Sequence, residues 1–167
     1  MKNMRYILLF LLMLTLCGCE RVYEDERQIG VVTATHRKMQ WEKQQMELFG
    51  AGSSIPEKVE HITLYYNKVG ETTDREYAKR IYEEAMNDAI ALVNSNEKIR
   101  PYLAKYPWGP DEVWLSIGFL TPKGVPVSAP YISSVIYAHG QLNYLYYDRV
   151  NHPESFNPVE IIKEPYP

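Results

Sequence analysis

The chain has 167 residues, 46% of them apolar, and its 18 Lys and Arg against 21 Asp and Glu give a net charge of −3. That size and composition suit one folded domain with a sizeable core, and the acidic balance excludes nucleic-acid binding, which rests on neutralising phosphates. The only cysteines, Cys17 and Cys19, sit near the N terminus, so the body has no thiol for a zinc site, an iron–sulfur cluster or nucleophilic catalysis.

Residues 1–19 begin with Lys2 and Arg5, continue through an apolar run from Tyr6 to Leu16, and end in Leu16-Cys17-Gly18-Cys19. Charged start, apolar middle and small-residue end are the parts of a secretory signal. The run is too short for a transmembrane helix, which needs ~20 apolar residues. Leu at −3 and Gly at −1 from Cys19 resemble the lipobox of bacterial lipoprotein precursors. That resemblance implies lipidation of Cys19 with diacylglycerol, cleavage after Gly18 and acylation of the new amino terminus by palmitate or a similar chain. Cys17 is the poorer acceptor, because bulky Leu16 would then occupy −1. Two or more acyl chains give stable attachment at ~0.8 kcal/mol per buried methylene. Residues 1–18 are therefore the expected lipoprotein signal peptide, and the mature protein is expected at the cell envelope, lipid-anchored in a membrane. Glu20 is not the aspartate of an inner-membrane retention signal, which favours the outer membrane in a Gram-negative cell.

Residues 19–35 read as a tether: Glu20 to Gln28 is charged and aperiodic, and Ile29 to Thr35 has no assigned structure. His36 to Phe49 reads as an N-terminal helix with Met39, Met46 and Phe49 on one face and Gly50 as its stop. Gly50 to Ser54 reads as a flexible linker, so that 36–54 precedes the domain proper.

The α+β domain is expected over 55–150. Val59 to Tyr66 alternates as a half-buried strand. A long helix follows, opened by a Thr73/Glu76 capping box and carrying the stripe Ala78, Ile81, Tyr82, Ala85, Ala89, Leu92 and Val93. Its wet side is expected to pair Glu76 with Arg80, Lys79 with Glu83 and Arg80 with Glu84. Pro101, Pro107 and Pro110 make Ile99 to Pro110 a rigid link. Val113 to Leu120, Tyr131 to Ala138 and Leu142 to Tyr147 form a three-strand meander, with His139-Gly140 as a two-residue hairpin turn. Residues 151–167 are a proline-rich C-terminal tail in which only Val159 to Ile162 suits a short strand. Strand, long helix and meander predict an antiparallel β-sheet with the helix packed on one face.

No reaction is named by a motif. The four histidines, His36, His61, His139 and His152, fall on separate elements and suit surface roles; Asp148 and His152 have ligand-like spacing but lie in a loop. No metal site and no cofactor are expected. Ser133-Ser134 lacks a nucleophile elbow. Glu83-Glu84 and Asp111-Glu112 are carboxylate pairs of the kind a glycosidase uses, and equally the solvated face of an ordinary domain.

The fourteen tyrosines remain. Tyr144, Tyr146 and Tyr147 crowd the last hairpin, with Tyr65 and Trp114 on neighbouring strands. They are candidates for an aromatic interaction face toward an envelope protein or glycan, since such rings offer large contact area at low entropy cost. Ordinary strand packing accounts for them equally, and alternation forbids Tyr147 from sharing a face with Tyr144 and Tyr146.

The stretch Asn94 to Trp108, including Ile99-Arg100-Pro101-Tyr102-Leu103 and Tyr106-Pro107, with Pro130-Tyr131-Ile132 later, resembles an uncharacterised family of small exported proteins from chlamydia-like and other host-associated bacteria. The resemblance spans roughly Ile55 to Asp148 and implies a helix, a link and a β-meander at the envelope; Trp108 stands where the family has Phe. It carries no activity. The expected function is that of a membrane-tethered envelope lipoprotein whose body is a non-catalytic interaction module. The alternative is a periplasmic or surface hydrolase with an unrecognised site.

Overall fold

A computed structural model describes residues 24–70, 74–148, 151 and 157–166. The signal peptide, Cys19, Thr73, His152 and most of 149–156 lie outside these residues. The fold is α+β: two helices lie on one face of a six-stranded, mostly antiparallel sheet with strand order β1-β2-β3-β4-β5-β6. Helix α1 covers 24–44. It is followed by β1 (Met46–Ser54), β2 (His61–Val69), helix α2 (Arg75–Ser95), β3 (Val113–Leu120), β4 (Ser134–Ala138), β5 (Gln141–Tyr146) and β6 (Glu160–Pro165).

Each strand after β3 returns antiparallel to the one before it. The exception is β2–β3, which run parallel, because α2 carries the chain back across the sheet between them. At the last hairpin His139 and Gly140 take φ of 51° and 75°, the left-handed values that a two-residue turn requires, and Ala138 pairs with Gln141.

Alternation sets the core. Ile62, Leu64 and Tyr66 of β2, with Val113, Leu115, Ile117 and Phe119 of β3, are buried toward the helices. Over them α2 lays Ala78, Ile81, Tyr82, Ala85, Met86, Ala89 and Val93. Met86 takes the place expected of Leu92, which is only partly buried. Tyr82 buries its ring and spends its hydroxyl on the sheet, donating to the Leu115 carbonyl at 2.9 Å and accepting from the Tyr137 amide at 2.9 Å. The α2 N-cap is Asp74, whose carboxylate accepts from the Tyr77 amide at 2.7 Å. Lys79 does not pair along the helix with Glu83; it reaches β6 and pairs with Glu164. Lys79 and Glu83 are both half-buried rather than fully wet.

The N-terminal third corrects the sequence reading. Residues 24–44 are helical where a tether over 19–35 and a helix over 36–49 are expected. Met46–Ser54, expected as helix end and flexible linker, is an edge strand paired with β2 from Met46↔Lys68 to Ser54↔His61. The reason is visible in α1's inner face. Asp25, Gln28, His36, Gln40 and Gln44 are buried there, with only Ile29 and Val32 as buried apolar partners, so no apolar stripe marks the helix. At the other end, β6 extends the expected short strand to Pro165 and adds a sixth strand to the sheet. Tyr131 to Ser133 precede β4 rather than belonging to it.

The proline-rich link is a built connection. The Val59 amide donates to the Tyr102 carbonyl and the Ala104 amide donates to the Val59 carbonyl, each at 2.9 Å. Asn94 grips Trp108 twice, accepting from its amide at 2.8 Å and donating to its carbonyl at 3.0 Å. The Arg100 guanidinium sits 4.5 Å from the centre of the Tyr106 ring. These contacts give the IRPYL and YPW residues a structural task.

Candidate aromatic face and polar seam

Among the described residues no helix or strand covers the sheet face opposite the helices across β2 and the start of β3. Four aromatic rings stand on it. Trp114 is 54% exposed and Tyr65 43%. The His61 ring stacks on Trp114 with centroids 3.9 Å apart and planes 15° apart. Phe49, 62% exposed, lies 5.8 Å from Tyr65.

The register explains the grouping. Thr63 pairs with Trp114 and Tyr65 with Ser116, so His61, Thr63 and Tyr65 line one face of β2 beside Trp114. Thr63 separates the His61–Trp114 stack from the Tyr65–Phe49 pair. Phe49 follows Glu47 onto the same face, and a bulge between Leu48 and Gly50 shifts the β1 register so that Gly50 lies on that face beside Tyr65.

Of the five aromatic residues singled out in the sequence, the structure brings together Tyr65 and Trp114. Tyr144 is fully buried and Tyr146 nearly so. Both follow the parity of Leu142, which puts them on the helix side; Tyr144 lies opposite Val135 and points its hydroxyl at Glu164, 3.4 Å away. Burial pushes that hydroxyl's pKa upward, and the neighbouring Glu164 carboxylate adds to the shift. Tyr147 has the opposite parity but stands beyond the Gly118–Ser134–Leu145 row, at the far end of the sheet from Trp114. Tyr144, Tyr146 and Tyr147 therefore do not join the exposed face. Phe49 and His61 do, and sequence reasoning missed both. His61 was legible, since it shares Tyr65's parity on the same strand; Phe49 was hidden by reading β1 as helix.

The second constellation is a polar seam where α1 meets α2 and β2. His36, expected at the surface, is fully buried. Its Nε2 lies 2.9 Å from the Ala85 carbonyl and its Nδ1 2.7 Å from the Tyr66 hydroxyl. A carbonyl only accepts, so Nε2 carries the proton and Nδ1 accepts from Tyr66. Burial lowers the imidazole pKa, against smaller upward pulls from the Ala85 carbonyl and Asp88. One turn on, Gln40 donates to Asp88 at 2.8 Å, and Lys43 donates to the same carboxylate at 2.8 and 2.9 Å. Gln44 reaches the Ile81 carbonyl at 3.3 Å, and Lys68 donates to the Gln44 carbonyl.

Ser133, Asp111 and Glu112 have structural partners. The Ser133 hydroxyl is buried, donates to the Val127 carbonyl at 2.6 Å and accepts from the Tyr147 amide at 3.1 Å. Asp111 accepts from the Tyr137 hydroxyl, and Glu112 from Lys105 and the Gly109 amide. Among the described residues no group of three His, Cys, Asp or Glu side chains is placed to hold a metal ion, and no helix is long and apolar enough to cross a membrane. No protein-family model, curated protein or solved structure matches the chain.

Proposed function

We propose that this protein is a lipid-anchored lipoprotein of the bacterial cell envelope, acting as a non-catalytic interaction module that holds an envelope protein near the membrane. The address rests on the lipobox-like Leu16-Cys17-Gly18-Cys19 after a short apolar run. The interaction reading rests on one observation: Phe49, Tyr65, His61 and Trp114 lie together on the open sheet face, whereas Tyr144 and Tyr146 of the last hairpin turn inward. Large exposed rings grouped on a flat surface are what protein partners bury as anchors. A flat strip of stacked rings favours a protein surface over a small molecule, which needs a cleft.

Two measurements test the two halves separately. Cys19→Ser should abolish labelling by radioactive palmitate and processing at Gly18-Cys19; normal labelling of that variant would remove the envelope address. For the face, photo-crosslinking from position 65 in intact cells should give a defined adduct with an envelope protein. Trp114→Ser should reduce its yield about fivefold or more, as loss of a ~1 kcal/mol anchor does, while Tyr146→Ser should act only through stability. An adduct indifferent to Trp114 would dismiss the face.

A further inference from the structure

We propose that β1 is a dimerisation edge, through which two copies of this chain pair antiparallel and join their sheets into one. Among the described residues the strand is the first in the sheet order and pairs only with β2, which leaves its outer row of amides and carbonyls without a strand partner there. Edge strands are normally kept short or guarded by Lys or Pro. This one has nine residues, Met-Glu-Leu-Phe-Gly-Ala-Gly-Ser-Ser, with Glu47 as its single charge and neither Lys nor Pro.

Space for an added strand is already present. α1 runs beside β1 and turns a flank toward it on which Gly30, Ala34, Arg37 and Trp41 recur at helical spacing. Between this flank and β1 are two hollows of ≈ 470 and ≈ 620 Å³, both lined by Ala34, Arg37 and Leu48. A strand laid along β1 would send its helix-side side chains into them.

The sequence of β1 indicates which strand. Its first half is bulky and its second half small, so antiparallel self-pairing sets large against small. A two-fold axis through Ala51 places the bulged pair Phe49–Gly50 opposite Gly52, Leu48 opposite Ser53 and Glu47 opposite Ser54 of the other copy. Cross-strand partners must share a sheet face, and these do. Glu47, Gly52 and Ser54 pair with Asn67, Thr63 and His61 of the open face; Leu48 and Ser53 pair with Tyr66 and Ile62 of the buried face. Phe49, on the open side beside Tyr65, would cover a glycine above which a Cβ meets nothing within 4 Å. An aromatic ring over an edge glycine is a known way to pin strand register. Glu47 avoids its own copy, and a two-fold contact closes without leaving an edge at this side. A partner of unrelated sequence would leave the large-to-small match unexplained. The inference stands whether or not the open face meets an envelope protein; if it does, the dimer makes the two aromatic strips continuous.

The full-length lipidated chain in its own membrane provides the test. A benzoylphenylalanine at position 49 should, on irradiation, yield a product of twice the chain's mass containing this chain alone, and the same label at position 161 on β6 should not. Ala51→Lys puts a cation on the helix side of the edge and should cut the product about tenfold. Ser54→Glu sets a carboxylate opposite Glu47 at both symmetric positions and should also cut it about tenfold, two like-charge pairs together amounting to ~1–2 kcal/mol. Adding Glu47→Lys to that variant should restore the yield, a rescue that a folding defect would not show. Sedimentation equilibrium in density-matched detergent should rank the variants in the same order. A monomeric mass, adducts from position 49 to other polypeptides with no product of twice the chain's mass, or failure of Glu47→Lys to rescue would overturn the proposal.

Discussion

The two helices lie on the same sheet face yet are held to it by different physics. α2 buries seven apolar or aromatic side chains, and the polar group among them, the Tyr82 hydroxyl, is satisfied by the sheet. α1 buries two aliphatic side chains and five polar ones, and most of its links to the body are hydrogen bonds from His36, Gln40, Lys43 and Gln44. Burial of apolar surface is non-directional and tolerates small shifts, whereas a buried polar contact is favourable only while its geometry is met. The α2 layer should therefore resist perturbation as a core does, and α1 should be the part that a single lost hydrogen bond or a proton can loosen.

The largest expected effect lies in α2. Ile81→Ala removes a side chain that is 2% exposed between the helix and the sheet. It should lower the unfolding free energy by ~2–5 kcal/mol, as large-to-small core changes do. Urea titration checks it, with Lys79→Ala as the contrast: that pair with Glu164 is partly exposed and screened by water, so its loss should be much the smaller of the two. Equal losses in the two variants would mean that α2 is not held mainly by its apolar stripe.

The same contrast explains what was legible in the sequence. Periodic apolar residues marked α2 and β3, and His139-Gly140 marked the last turn, because in each the local signal and the tertiary role agree. α1 left no such trace, since Gln28, His36, Gln40 and Gln44 look like a wet helix until their partners on α2 and β2 are known. β1 was missed for a related reason. Gly50-Ala51-Gly52 has the composition of a loop, and only pairing with β2 makes it a strand. Of the aromatic face, parity on a single strand was enough to separate Tyr144 and Tyr146 from Tyr147, but not to say which side the helices cover. That choice depends on the sheet order, which the sequence pattern does not encode.

His36 offers a sharper test of the difference. His36→Ala strands the buried Tyr66 hydroxyl, at ~1–3 kcal/mol for an unsatisfied group, and removes a second bond to the Ala85 carbonyl, which the α2 helix still satisfies. Hydrogen exchange should rise over 24–44 while α2 keeps most of its protection; uniform loss over both helices would show that they unfold as one unit. The pH dependence follows from the same geometry. Burial holds the folded imidazole pKa below its ordinary 6.5, so the unfolded chain binds a proton that the folded chain resists. This contribution is complete above about pH 6.5 and is lost as pH falls through the folded value. The slope difference from His36→Gln below pH 6.5 should approach, and not exceed, ~1.4 kcal/mol per pH unit, the limit for one proton. The groups facing the ring are the Tyr66 hydroxyl and the Ala85 carbonyl, with Asp88 opposing the shift and Lys43 adding to it. A wild-type profile parallel to that of His36→Gln would show that the imidazole charges freely in the folded state.

The smallest effect is expected at the outer end of the seam, where Lys43 and Gln40 share the Asp88 carboxylate. The Lys43 side chain is 50% exposed, so water screens its charge and its flexible stem opposes the fixed geometry. Lys43→Ala should cost ~0.2–1 kcal/mol and lose most of that cost in molar salt, where the screening length falls to ~3 Å. Gln40 differs because it is fully buried and its amide donates to a charged acceptor, a type of bond that contributes ~1.5–3 kcal/mol. Gln40→Ala should therefore cost more than Lys43→Ala, and its cost should persist in salt. The order is informative because both side chains meet one carboxylate from adjacent turns of α1, one as a buried neutral amide and the other as an exposed cation. Should Lys43→Ala prove the more damaging, α1 is attached by a long-range ion pair at its surface, and its buried amides serve only to fill space.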